Sequence, residues 1–199
     1  MTSLEAALRR AAEALGAARL RWAVVGGLAV SARAEPRTTR DVDLAVAVAD
    51  DSEAEALLYR LQTRGFSVVS VVEQSARKRL ATARLQSGDP RTRGVFVDLL
   101  FASSGIEVEL VGRADEIEIV PGLSVPVAGT GHLLALKALA RNDRDRPQDL
   151  DDMRALLREA TAQEVEEARA AVRLIEERGF SRGRKLSEEL EELLVRERR

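Results

Sequence analysis

Val24-Val25-Gly26-Gly27-Leu28, followed by Arg37-Thr38-Thr39-Arg40-Asp41-Val42-Asp43-Leu44, is the stretch that decides the fold. Residues 21–25 form a short apolar run, the two glycines end it, and residues 28–33 are helical in composition. The segment therefore reads strand, glycine turn, helix, with Pro36 as the stop. From Asp41 the pattern alternates: Val42, Leu44, Val46 and Val48 fall on one face of a strand, Asp41 and Asp43 on the other. A glycine pair between strand and helix lets backbone N–H groups approach a triphosphate, and the helix N-terminus favours its negative charge. Two aspartates projecting on one side suit a hard, oxygen-loving cation such as Mg²⁺ beside those phosphates. Taken singly, a glycine pair is commonly only a turn, and an Asp-Val-Asp at a strand start only a solvated edge.

Outward from this core, residues 4–20 have helical periodicity, with Leu4, Leu8, Ala11, Ala12 and Leu15 on one side. Residues 51–64 predict a helix ended by Gly65, and 66–72 a β-branched strand. Further strands are expected at 79–86, 95–101 and 107–110, with another pair around Pro121 in the segment up to Val127. This half is mixed α/β. After Ala128 the composition turns to leucine, alanine, arginine and glutamate. Thr130 reads as the cap of a helix to about Arg141, Pro147 as the first turn of the next, and Thr161 with Glu164 as a capping box ahead of a helix to Gly179. A last charged helix covers 186–198. The expected division is a catalytic domain over 1–128 and a helical lobe over 129–199.

Composition removes whole classes of chemistry. With no cysteine and one histidine among 199 residues, disulfides, thiolate metal sites and cysteine nucleophiles are excluded, and most triad schemes with them. A formal net charge of −2 supplies no global field toward nucleic acid or membrane, so an RNA partner has to be gripped locally. Aromatic residues at 3% give no stacking platform for single strands. The glycines are not followed by Lys-Ser/Thr, which excludes a Walker A loop, and the third glycine of a dinucleotide fingerprint is missing. The N-terminal stretch is charged and the most apolar run too short for a bilayer, so the expected location is the cytoplasm, off the membrane.

Metal-assisted phosphoryl-type chemistry calls for a third carboxylate, and Asp98 in Val95-Phe96-Val97-Asp98-Leu99-Leu100-Phe101 is the candidate. An ionised group within an apolar strand needs a cation or strong donors: a metal, or else an arginine or an exposed strand end. Lys137 stands out differently. Of 31 basic residues only Lys78, Lys137 and Lys185 are lysines, and Lys137 lies one turn from Leu133 and Leu134, at or beside an apolar helix face. It reads either as a point charge for a nucleotide phosphate or as a snorkelling helix lysine. His132, at the start of that helix, receives no role; Arg40 and the cluster Arg77, Lys78 and Arg79 are most simply solvated.

Taken together, Gly26-Gly27 and Arg37-x-Thr39-x-Asp41-Val42-Asp43-Leu44 resemble the signature of the nucleotidyltransferase superfamily, and in particular its AbiEii-type toxin branch. The segment 133–140 followed by Arg146-Pro147-Gln148-Asp149-Leu150-Asp151-Asp152 is similar to that branch's C-terminal Leu-x-x-x-Lys and Arg-x-Lys-Asp-Leu-x-Asp-Leu elements. The resemblance implies a mixed sheet of the DNA polymerase β type with flanking helices and a C-terminal helical lobe, the nucleotide lying between them. It implies that Asp41, Asp43 and Asp98 hold Mg²⁺, that Gly26, Gly27, Arg37, Thr39 and Lys137 contact a nucleoside triphosphate, and that Lys137 and Asp149 face the catalytic site. It further implies an RNA (notably tRNA) or protein acceptor and an antitoxin partner. Three positions depart from the pattern: Gly27 stands where serine is common, leaving Ser31 as the hydroxyl nearby; Gln148 replaces a lysine; Met153 follows Asp152 in place of leucine. Two readings of another class stand beside it, a non-catalytic module binding nucleotide, RNA or a partner protein through the same cleft, and an interaction module built on the charged C-terminal helices.

Overall fold

The computed structural model describes residues 1–74, 77–142 and 147–197. Its centre is a seven-stranded mixed sheet. The strands are β1 (Trp22–Val25), β2 (Val42–Val46), β3 (Phe66–Gln74), β4 (Arg79–Ser87), β5 (Phe96–Leu100), β6 (Asp115–Val120) and β7 (Leu123–Val127), in the order β3-β4-β5-β2-β1-β7-β6. β1 and β2 are antiparallel neighbours, while β5 and β7 lie parallel to β2 and β1 and so extend the sheet to either side. The central strands carry the apolar residues that the alternation predicted: Val24, Val42, Leu44, Val46, Leu85 and Leu99 are all buried.

Helices cover this sheet. α1 (Ser3–Ala18) starts from a capping box in which Thr2 and Glu5 satisfy each other's backbone N–H, and it buries Ala7, Leu8, Ala11 and Leu15. α2 (Gly26–Arg33) begins at the glycine pair itself, two residues earlier than composition indicates, because Gly26 at φ 63° turns the chain straight from β1 into the helix. α3 (Asp51–Thr63) is capped by Asp50 and closed by Gly65 at φ 82°. α5 (Thr130–Ala140), α6 (Gln148–Glu159), α7 (Ala162–Glu177) and α8 (Leu186–Glu197) make the helical part; α5 packs on α6, α7 and α8, and α2 touches both α5 and α6. One continuous cluster of buried side chains runs from Leu8 through the sheet to Leu194.

Two expectations fail locally. Residues 107–110 are not a strand but the start of α4 (Glu107–Gly112). Ile106, Leu110 and Val111 are buried at helical spacing, Val108 is exposed, and the buried Glu107 carboxylate accepts from the backbone N–H and hydroxyl groups of Ser103 and Ser104. Thr130 is the first residue of α5 rather than its cap; Gly129 occupies the cap position without a side-chain bond. The capping box at Thr161 and Glu164 and the hairpin around Pro121 are as predicted. Arg146 and Arg198, placed by the sequence in the C-terminal element and at the end of the last helix, lie outside the described residues.

Among the described residues no helix is long and apolar enough to cross a membrane.

Candidate active site

The register of the sheet assembles the site. Val25 of β1 pairs with Asp43 of β2, Asp43 with Asp98 of β5, and Asp98 with Arg84 of β4, so one row of side chains crosses four strands on a single face. That face forms the floor of a cleft of about 730 Å³, within the size range of small-ligand sites. The glycine turn and the 37–41 loop, with Arg37, Thr39, Arg40 and Asp41, make one wall; Leu133, Leu136, Lys137 and Gln148 of the helical part face them. Ser103, Ser104 and Arg182 close one end, and the Arg178–Glu109 ion pair at 2.6 Å ties the turn after α7 to α4 beside them.

Close approach explains the glycines. A Cβ at Gly26 would run into the carboxylate of Asp43, and one at Gly27 would lie 2.7 Å from Arg37 Nη2 and 2.8 Å from Thr39 Oγ1. The side chains of Arg37 and Thr39 thus occupy the place where a residue 27 side chain would start. Ser31 does not replace a serine there: its hydroxyl donates to the carbonyl of Gly27 at 3.0 Å and accepts from the N–H of Arg37 at 3.2 Å, pinning the 34–41 loop to α2.

A second ionic group underlies the opposite wall. Lys137 Nζ lies 2.8 Å from Asp149 Oδ1 and 2.7 Å from Asp152 Oδ2, and Asp152 also receives Arg37, whose Nη2 donates to Oδ2 at 3.0 Å. Lys137 lines the cleft, whereas Asp149 is fully buried beneath it and is not among the lining residues. Asp152, not singled out from the sequence, is the hinge of this group. Its signal was present in the C-terminal Asp element, but only the fold shows that it joins Arg37 of the loop to Lys137 of α5.

Arg84 is the other residue that the sequence did not reveal. It takes both oxygens of Asp98, Nε to Oδ1 at 2.8 Å and Nη2 to Oδ2 at 2.6 Å. Its pKa is raised first by these hydrogen bonds, against the cost of burial, with the charges of Asp98, Asp41 and Asp43 adding. Among the described residues no three acidic or histidine side chains stand together as a metal cluster. The donor set nonetheless fits Mg²⁺: Asp41 and Asp43 flank the glycine turn with hard carboxylate oxygens, and this ion is commonly held by one or two carboxylates plus substrate phosphates. Asp98 in the present arrangement is engaged by arginine, one of the alternatives its sequence left open.

The glycine turn, the carboxylate row and the mixed sheet have counterparts among known proteins. The fold is shared with the antibiotic-resistance factor ANT(2″)-Ia, in a crystal structure with adenylyl-2″-tobramycin (17% identity over 84% of this chain and 95% of that one, TM-score 0.54) and in solution (16%, 83% and 89%, 0.53). An antigenic nucleotidyltransferase-like protein from Paracoccidioides brasiliensis is similar to the same degree (19%, 84% of each chain, 0.51). Residues 7–199 match the family described as nucleotidyl transferase AbiEii toxin, type IV toxin–antitoxin system, and the chain belongs to that family. No curated protein matches it in sequence.

Proposed function

We propose that the chain transfers a nucleotide from a nucleoside triphosphate to a hydroxyl of an RNA, notably a tRNA end, or of a protein, with Mg²⁺ held by Asp41 and Asp43, and that it does so in the cytoplasm as a toxin restrained by an antitoxin. The observation that carries this reading is the juxtaposition of Gly26 with Asp43, close enough that no side chain fits between them, at the floor of a cleft of nucleotide size. The bound cation would neutralise triphosphate charge and the developing charge on the attacking oxygen. The residues of the chain do the rest. The start of α2 offers backbone N–H groups to the phosphates, and Lys137, oriented by Asp149 and Asp152, presents a fixed positive charge from the other wall. The acceptor oxygen bonds to the α-phosphorus, the bond to the bridging oxygen breaks, pyrophosphate leaves, and Asp98, once free, takes the hydroxyl proton. Residues 1–128 would then be the catalytic domain and 129–199 the lobe that closes over the nucleotide.

The test offers α-labelled NTPs and Mg²⁺ to the purified protein with total RNA, a cell protein extract or tobramycin, using Asp43→Ala as control. Label entering RNA or protein supports the reading and names the acceptor. Label entering only tobramycin makes the chain a small-molecule modifier like ANT(2″)-Ia, and nucleotide binding without transfer to any acceptor favours a non-catalytic module.

A further inference from the structure

The carboxylate row already contains a cation. Arg84 follows Asp98 in the register as Asp98 follows Asp43, so the arginine is built into the row rather than reaching in from a distant loop. Its fork covers both oxygens of Asp98, and Nη2 also stands 3.5 Å from Asp41 Oδ2. The guanidinium lies 5.0 Å over the ring of Phe96, which precedes Asp98 by two residues and so shares its face of β5. Arg84 therefore relieves the repulsion among the acids, and its fork occupies one lone pair on each oxygen of Asp98, in competition with any metal or proton donor. The side chain is also more exposed than either partner: 39% against 33% for Asp41 and 12% for Asp98. A guanidinium fork accepts phosphate oxygens in the same bidentate geometry as carboxylate oxygens.

From this geometry we infer that Arg84 is a displaceable counter-cation, a positioning residue that keeps Asp98 closed in the nucleotide-free protein and is drawn off it by the incoming triphosphate. The inference rests on the proposed nucleotidyl transfer. The exchange conserves charge: the Arg84–carboxylate pair is traded for an Arg84–phosphate pair, and Asp98 turns to the cation that arrives with the nucleotide. Metal affinity then depends on nucleotide. In the nucleotide-free protein Arg84 holds Asp98 and stands beside Asp41, while in the loaded protein Asp98 joins the other two carboxylates, so the complete site exists only around its substrate.

The test reads binding, not turnover. Mn²⁺ is titrated into the intact protein and followed by the electron paramagnetic resonance of the free ion, without nucleotide and with saturating α,β-methylene-ATP. Arg84→Gln is expected to bind Mn²⁺ about tenfold more tightly than wild type without nucleotide, the scale on which one nearby charge shifts a carboxylate's equilibrium. Adding Asp98→Asn to that variant should remove the gain, as should the nucleotide analogue by raising the wild type to match. Arg84→Lys, which keeps the charge but not the fork, should fall between and serves if Arg84→Gln does not fold. A folded Arg84→Gln or Arg84→Lys with unchanged or weaker nucleotide-free affinity overturns the inference, and so does a double variant as tight as the single one. If the wild type takes up Mn²⁺ with the analogue and Asp43→Ala abolishes this, the transferase reading survives such a failure. If Mn²⁺ uptake is absent even with the analogue, that reading falls as well.

Discussion

The two ionic groups of the cleft are built from the same parts and serve opposite ends. On the sheet, Asp41, Asp43, Asp98 and Arg84 stand at the cleft floor with side chains from 12% to 39% exposed among those in ion pairs. On the helical side Lys137, Asp149 and Asp152 are 8%, 0% and 3% exposed. Water reaches the first group, so its partners can be exchanged. The second is nearly buried: of these three only Lys137 lines the cleft, and the two carboxylates beneath hold its ammonium in place. Burial, not residue type, separates an ion cluster that can bind from one that holds the binder in place.

The largest effect should fall on the exposed group. Asp43→Ala is expected to lower transfer by at least about a thousandfold, roughly 4 kcal/mol of transition-state stabilisation, while thermal unfolding stays near wild type. Single-turnover rates beside a melting curve would show it; a variant retaining most of its rate breaks the comparison at once. Next is Lys137→Ala. It removes the cation that both buried carboxylates share, leaving Asp152 with Arg37 in place of both cations, and should cost about 3–5 kcal/mol in urea unfolding, as removal of one member of a buried pair does. A fully stable but inactive Lys137→Ala would mean that its charge serves the nucleotide and not the fold.

Gly26→Ala probes the junction between the two walls. The added methyl forces Asp43 aside and meets a backbone at φ 63°, so we expect about a hundredfold loss in kcat, the penalty of an ångström-scale misplacement, with binding of the bare nucleotide less affected. The smallest effect is that of pH. Burial, with Arg113 nearby, holds the His132 imidazole below its usual pKa of 6.5, and Glu167 and Glu109 only partly oppose this. The unfolded chain therefore binds a proton that the folded one refuses. This contribution to stability is complete above pH 6.5 and declines as pH falls below it, with a slope of no more than about 1.4 kcal/mol per pH unit. Urea unfolding at pH 7.5 and 5.5 should show a drop that His132→Asn flattens; equal drops in both proteins would assign the effect elsewhere.

The fold was legible where period and punctuation agreed. The alternation after Asp41 and the Thr161–Glu164 box each combine a local preference with a pattern and form as read, while the glycine pair marks the strand-to-helix change but already belongs to the helix. Glu107 misled because Ile106-Glu107-Val108-Glu109-Leu110 alternates like a strand, while the bonds that Ser103 and Ser104 donate to its carboxylate and the burial of Val111 go with a helix. In the site, sequence spacing placed Asp41 and Asp43 together because Asp43 lies on β2 and Asp41 stands immediately before its first residue. It could not find Arg84, since only the β4–β5 register puts an arginine beside Asp98, nor Asp152, whose partner Arg37 lies more than a hundred residues away.

The strand order has a consequence for the making of the protein. β1, which feeds the glycine turn, is flanked on one side by β2 from its own neighbourhood and on the other by β7, about a hundred residues later in the chain; Asp43 waits for β5 in the same way. Pairings of such sequence separation form late. A growing polypeptide that has just left the ribosome's interior with Asp41 and Asp43 in hand therefore still lacks the assembled cleft, which forms only once synthesis has passed β7 and the helices that follow it.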